Sequence, residues 1–184
     1  MHALPDLWLP IVVSGVGLFI ASWLAWMVLP HHRSDWAALP DESRLAETLR
    51  GMNVQPGQYM FPHCGFGDHN SAEFKRKREQ GPCGTMIVTS GKCNMGLNLV
   101  CTFLFFLVAS FCIGYLASIG LEPGRRFLDV FRFVGTAGIL TYAAADIPNA
   151  IWFKRKVRND ILDGIAYGLL TGLIFALMWP GAAS

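Results

Sequence analysis

The chain has 184 residues, of which 53% are hydrophobic and 15% are charged, and its formal net charge is +2. This composition excludes a disordered chain and an ordinary soluble enzyme, and the even balance of charge argues against a nucleic-acid partner. The apolar residues lie in long blocks, which is typical of membrane proteins. We therefore expect an all-α membrane protein with four transmembrane helices and a small α+β insertion between the first and second spans.

The first two apolar blocks are long and free of charge. Leu7 to Leu29 contains 23 residues, and Leu97 to Leu121 contains 25. At about 1.5 Å per residue, each is longer than the roughly 30 Å of a hydrocarbon core, so both are predicted to cross a bilayer. The first block follows no basic segment and is too long for a cleaved signal, and we interpret it as an anchor.

Two histidines follow the first block directly, with an acidic residue close by. His31 and His32, with Asp35, are candidates for metal ligands or for a proton relay. Histidines that simply lie at the level of the lipid headgroups give the same pattern. The pattern favours this last interpretation, with a metal site and a proton relay as the alternatives.

Residues 30–96 are predicted to form the small α+β insertion. Apolar residues at helical spacing predict a helix over 41–51, and Asn70 or Ser71 is expected to cap a second helix over 71–80. Two short segments, 58–61 and 85–89, are predicted strands. These elements are too small to bury much surface by themselves.

The insertion also carries thiol and imidazole side chains that could bind a metal ion together. The candidate ligands are His63, Cys64, His69, Cys83 and Cys93. Their spacing contains no Cys-x-x-Cys pair, so we expect no metal at this place and no cofactor in the protein.

The third block, Phe127 to Phe153, is interrupted by charge. Asp129 and Arg132 are three residues apart and are expected to pair, and Pro148 is expected to kink or end the helix.

Within that block, Asp146 is the candidate intramembrane polar residue, with Tyr142 and Asn149 predicted to share its helix face and hydrogen-bond to it. The pattern favours a structural ion pair with the basic residues that follow, and a proton or ion pathway remains the alternative.

The fourth block, Ile161 to Pro180, begins in an acidic turn and carries small residues on one face. Asp160 and Asp163 are expected to complement the helix dipole. Small residues four apart allow helix backbones to approach closely in lipid. The predicted packing residues are Gly164, Gly168 and Gly172 in this block and Ser110, Gly114 and Ser118 in the second. They would contact either the chain's own bundle or a partner chain.

The basic residues predict an orientation. Twelve Lys and Arg residues lie in 30–96 and 154–160, against two between the second and third blocks. The positive-inside rule then places the long loop in the cytoplasm and both termini outside.

Several short strings resemble a family of small uncharacterised bacterial four-span integral membrane proteins. The strings are His31–Trp36, Leu39–Glu42, Pro56–Pro62, Tyr167–Thr171 and Trp179–Pro180. The resemblance extends along almost the whole chain and implies the four-span topology and a bacterial inner membrane, but it implies no activity. The cysteines of the insertion depart from the family's pattern.

We divide the chain into a first span (1–29), the insertion (30–96) and three further spans (97–184). No hydrolase, nucleotide-binding or haem motif is present, so we expect no enzyme. The leading hypothesis is a non-catalytic accessory or scaffolding subunit that contacts lipid and other membrane proteins, or itself, through its glycine face. The alternatives are a small transporter or ion-handling protein that uses Asp146, and a metal-handling protein that uses the loop thiols and imidazoles.

Overall fold

The structure is a computed structural model that describes residues 4–65, 67–91 and 93–181. Its helices are α1 (Trp8–Trp23, continued by a π-helical turn over Leu24–Val28), α2 (Glu42–Gly51), α3 (Ala72–Gln80), α4 (Met95–Gly120), α5 (Phe127–Tyr142), α6 (Asp146–Phe153) and α7 (Arg158–Leu177). Two strands, β1 (Gly57–Phe61) and β2 (Gly84–Val88), form one two-stranded antiparallel sheet. The fold is therefore mostly helical, with one small sheet.

The chain divides into a helical unit, residues 1–36 with 94–184, and a smaller unit, residues 37–93. The smaller unit is therefore shorter than the predicted insertion of 30–96. The turn that follows α1 belongs to the helical unit, and it carries His31, His32 and Asp35 with it.

Four helices of the helical unit are long and apolar enough to cross a membrane: Trp8–Val28, Met95–Gly120, Phe127–Phe153 and Arg158–Leu177. Their bounds follow the four predicted blocks closely, because long apolar sequence favours helices of membrane-spanning length. The prediction of four such helices is confirmed.

The third of these helices is broken just before its proline. The break lies at 143–145, between α5 and α6, and Pro148 is the third residue of α6. In the first turn of a helix a missing backbone N–H removes no intrahelical hydrogen bond, so Pro148 is tolerated there. Pro148 has no N–H for the carbonyl of Ala144, four residues before it, and that carbonyl accepts from the Ile147 N–H instead. The interruption expected from Pro148 therefore lies one turn before the proline.

The glycine face of α7 packs against α5 of the same chain. A Cβ atom added at Gly164 would lie 2.7 Å from the Tyr142 carbonyl oxygen, and one at Gly172 would lie 2.9 Å from Gly135 Cα. At Gly168 it would collide with the backbone nitrogen of Ile139. The glycines therefore allow two backbones of one bundle to touch.

The small residues of α4 are placed differently from one another. Ser110 and Gly114 are buried, and a Cβ atom at Gly114 would lie 3.1 Å from Ile11 and 3.3 Å from Phe175. Ser118 is not in this contact, because its hydroxyl group donates to the Tyr115 carbonyl within its own helix. Two of the three predicted residues thus pack α4 against α1 and α7.

An apolar core closes one end of the helical unit. Its buried residues are Leu7, Ile11, Ile113, Ala117, Val130, Val134, Phe175, Ala176 and Trp179. The Trp179 indole N–H donates to the Glu122 carbonyl at 3.1 Å, so the ring is anchored inside the protein. Trp179 is only 3% exposed.

The smaller unit is held by local structure. Asp41 accepts from the Arg44 N–H and begins α2, and Ser71 accepts from the Phe74 N–H and begins α3. The two-stranded sheet pairs Gly57 with Val88 at one end. None of the described residues of 37–93 is fully buried, so this unit has no hydrophobic core of its own.

Candidate metal centre

A short turn after α1 places two imidazole rings beside α7. Residues His31–Ser34 form one 3-10 turn directly after Pro30, held by the hydrogen bond from the Arg33 N–H to the Pro30 carbonyl. The turn brings both histidine side chains toward the first turns of α7. The two histidines therefore meet a helix that lies more than 120 residues later in the chain.

The two rings meet the carboxylate of Asp163. His31 Nε2 lies 3.0 Å from Asp163 Oδ1, and His32 Nε2 lies 3.0 Å from Asp163 Oδ2. The three residues offer one ligand atom each, all within 4.8 Å of one another. Two donors that share an ion at bonds of about 2.0–2.2 Å lie roughly 3.0–3.4 Å apart, so this spacing suits a transition metal.

A second set of hydrogen bonds holds the ligands. His32 Nδ1 donates to Asp35 Oδ2 at 2.8 Å, and Asn159 Nδ2 donates to Asp35 Oδ1 at 2.8 Å. Asn159 also donates to the His31 carbonyl, and the Tyr167 hydroxyl group donates to Asp163 at 3.3 Å. A histidine whose second nitrogen donates to a carboxylate is the usual arrangement at metal sites.

His32 is the most enclosed member of the cluster. Its side chain is buried, and its ring stacks on Trp26 with centroids 3.8 Å apart and 9° between the planes. Burial lowers the pKa of His32, but the hydrogen bonds to Asp163 and Asp35 and their negative charges together raise it above its ordinary value. Both ring nitrogens face a carboxylate, which the protonated ring satisfies by donating twice.

The donor set defines what the cluster can hold. Two imidazoles and one carboxylate bind divalent zinc, iron or manganese, and they leave coordination positions open for water or another ligand. A metal ion would replace the proton on His32 Nε2, while Nδ1–H could still donate to Asp35. The geometry therefore fits a divalent transition-metal centre.

The candidate thiolate and imidazole ligands of the insertion, where we expect no metal, do not come together as a group. In the part of the chain that the structure describes, the only group of three or more potential ligands within such distances is His31, His32 and Asp163. Cys64 and Cys83 donate to backbone carbonyls, and the His69 ring contacts Phe74 edge-on. His63 and Cys93 join no such group either.

Asp146 does not form the hydrogen bonds predicted for it. The break at 143–145 separates it from Tyr142, so the two no longer follow one helical face. Asn149 instead donates to the Ala145 carbonyl. Similarly, Asp129 pairs with Arg126 at 3.1 Å and not with Arg132.

The sequence pointed to only some of the residues that form the cluster. It singled out His31, His32 and Asp35, but it assigned Asp163 to the helix dipole and overlooked Asn159, Tyr167 and Trp26. A usable signal was present, since Asp163 and Tyr167 are one helical turn apart on α7 and near the same predicted end of the bundle as the histidines.

Comparison with known proteins adds nothing to this geometry, since no protein-family model, curated protein or solved structure matches the chain. The resemblance to a bacterial four-span family stays a prediction.

Proposed function

We propose that this protein is a multi-pass membrane protein that binds a divalent transition-metal ion between its first and last spans. The ligands are His31, His32 and Asp163. The observation that carries the proposal is the two 3.0 Å contacts from the histidine Nε2 atoms to one carboxylate, with Asp35 orienting His32 from behind.

The cost of assembling these groups supports a functional role. Two carboxylates and two imidazoles at the end of an apolar bundle lose solvation, and an unpaired charge there is costly. The polar atoms of the cluster are hydrogen-bonded by residues from both α7 and the turn after α1. Two histidines that were simply exposed to solvent would not need these partners. Ion handling is therefore assigned to this cluster and not to Asp146.

A proton relay is the second candidate, and one observation favours it. Hydrogen bonds run without interruption from Asp35 through His32 and Asp163 to the Tyr167 hydroxyl group. Such a chain can pass a proton in the absence of metal. A relay needs no ion, so metal titration separates the two functions.

The membrane orientation also belongs to the proposal. The proposed metal centre lies at the end of the helices from which the loops 30–96 and 154–160 leave. These loops carry twelve Lys and Arg residues, and the positive-inside rule then assigns this end to the cytoplasm of a bacterial inner membrane. The expected scaffolding role loses its original support, because α5 of the same chain fills the glycine groove. A partner would have to bind another face.

Zinc titration of the purified, detergent-solubilised protein tests the proposal. We expect one zinc ion per chain, and we expect Asp163→Asn to weaken binding by about 100-fold or more because one ligand and the charge are lost. The matched control is His63→Ala, which removes a histidine of the smaller unit and should leave binding unchanged. Equal zinc binding by Asp163→Asn and the parent protein, or no stoichiometric binding of zinc, iron(II) or manganese(II), would reject a metal centre here.

A further inference from the structure

A basic groove lies beside the metal centre, at the loop that joins α6 to α7. Its cavity has a volume of about 650 Å³ and is open on one side. The basic groove is lined by Ser34, Arg155, Lys156, Val157, Arg158 and Ile161, together with Asp35 of the cluster. All of these residues belong to the helical unit.

The three cations of the groove are only partly neutralised. Lys156 Nζ donates to the Ser34 carbonyl at 3.0 Å, which is not a charge partner. Arg155 lies 3.9 Å from Asp160, at the outer limit of an ion pair, and its side chain is half exposed. Arg158 pairs with no acidic side chain among the described residues.

The acidic member of the groove is already engaged. Asp35 accepts hydrogen bonds on both carboxylate oxygens, one from His32 and one from Asn159. Its charge is therefore directed toward the metal centre, and the groove keeps an excess of positive charge. Lys and Arg groups of this kind bind phosphate oxygens through charge-assisted hydrogen bonds.

The lining and the position of the groove favour a phospholipid headgroup over a free phosphate ion. The buried Val157 and the half-buried Ile161 add apolar surface to the lining, while the three basic residues are exposed. The groove lies at the first turn of α7, which is the level of the lipid headgroups when α7 spans a bilayer. An opening at this depth with apolar and cationic walls suits a molecule that brings both a phosphate and acyl chains.

We propose that the basic groove binds the phosphate of an anionic phospholipid headgroup through Arg155, Lys156 and Arg158. The inference rests on membrane insertion of α7, which is part of the proposed function, but it does not depend on metal binding. A lipid bound here would contact the first turn of α7, which also carries Asn159, the residue that donates to Asp35. The groove thereby adds a lipid-binding site to a protein proposed above only as a metal-binding one.

Lipid titration of the detergent-solubilised protein, followed by native mass spectrometry, tests this inference. The probes are phosphatidylglycerol and phosphatidylcholine of the same chain length. We expect phosphatidylglycerol to bind at least about tenfold more tightly, and we expect the triple variant Arg155→Gln, Lys156→Gln, Arg158→Gln to remove that preference. The matched control is Lys75→Gln, Arg76→Gln, Lys77→Gln, which removes the same charge from the smaller unit and should keep the preference.

Two further measurements make each outcome decisive. If the triple groove variant does not fold, Arg158→Gln alone should lower the preference for phosphatidylglycerol by about threefold, since that side chain is not engaged in an ion pair. Inorganic phosphate is titrated as a separate arm. Phosphate binding as tight as phosphatidylglycerol binding would assign the groove to a soluble anion and overturn the lipid proposal, as would equal loss of preference in the control variant. Failure of zinc binding with the lipid preference intact would reject only the metal centre.

Discussion

The two ends of the helical unit are built from the same four long helices but carry opposite chemistry. At one end, Leu7, Ile113, Phe175 and Trp179 form a buried apolar core, and the one polar atom of Trp179 is paired. At the other end, imidazoles and carboxylates are held in a hydrogen-bonded cluster. The comparison indicates that the apolar end holds the helices together, while the polar end, whose charged groups lose solvation when they assemble, holds the proposed metal centre.

The largest expected effect comes from the apolar end. Phe175 is completely buried, so Phe175→Ala should destabilise the protein by about 3–5 kcal/mol through lost burial and a cavity. Thermal unfolding in detergent measures this change. Zinc affinity, where the variant remains folded, should change by less than about twofold. The control is Phe111→Ala, whose ring is already 47% exposed and should cost far less. A large loss of zinc affinity in Phe175→Ala would mean that the two ends are not independent.

The region between the two ends depends on close helix packing. Gly168→Leu forces a side chain into the backbone of α5 and should destabilise the protein by about 3 kcal/mol or more. Thermal unfolding is again the measurement, and Gly51→Leu is the control, because a Cβ atom there meets nothing within 4 Å. Unchanged stability together with the loss of a co-purifying membrane protein would restore the glycine face as a surface for a partner.

A smaller effect is expected from the residue that orients His32. Asp35→Asn keeps the shape of the side chain but weakens the acceptor for His32 Nδ1–H, and we expect zinc affinity to fall about 10- to 100-fold. The control is Asp41→Asn, which makes the same change at the cap of α2, where asparagine caps equally well. Isothermal titration with zinc compares the two variants. Equal affinities would show that Asp35 has no part in the metal centre.

The smallest effect is a dependence on pH at the polar end. Because the folded-state pKa of His32 is raised, the metal-free protein gains stability from the protonated ring that is fully present below the ordinary histidine pKa of about 6.5. That stability is lost as pH rises through the raised folded-state pKa. Zinc affinity should change in the opposite sense, increasing over the same window, because zinc must displace the proton. Thermal unfolding with a chelator checks the first change, and His32→Gln should flatten it.

The sequence predicted the helices better than it predicted the polar cluster. The four long apolar helices and the elements of the smaller unit were predicted closely, because their signals are local. The length of the apolar blocks indicates the helices, and Asp41 and Ser71 cap α2 and α3. The partner of Asp129 was predicted wrongly, since Arg126 and Arg132 are equally near in sequence. The metal centre needed Asp163, which is 131 residues from His32. Only the packing of α1 against α7 brings these two residues together.

The measurement that tests the central claim most directly is X-ray absorption spectroscopy of the zinc-loaded protein. The proposed centre predicts only nitrogen and oxygen ligands at about 2.0–2.2 Å, with two of them showing the multiple scattering of imidazole. Zinc–sulfur distances of about 2.3 Å would contradict it, because they would place the metal on cysteine thiolates and leave His31, His32 and Asp163 without the role assigned here.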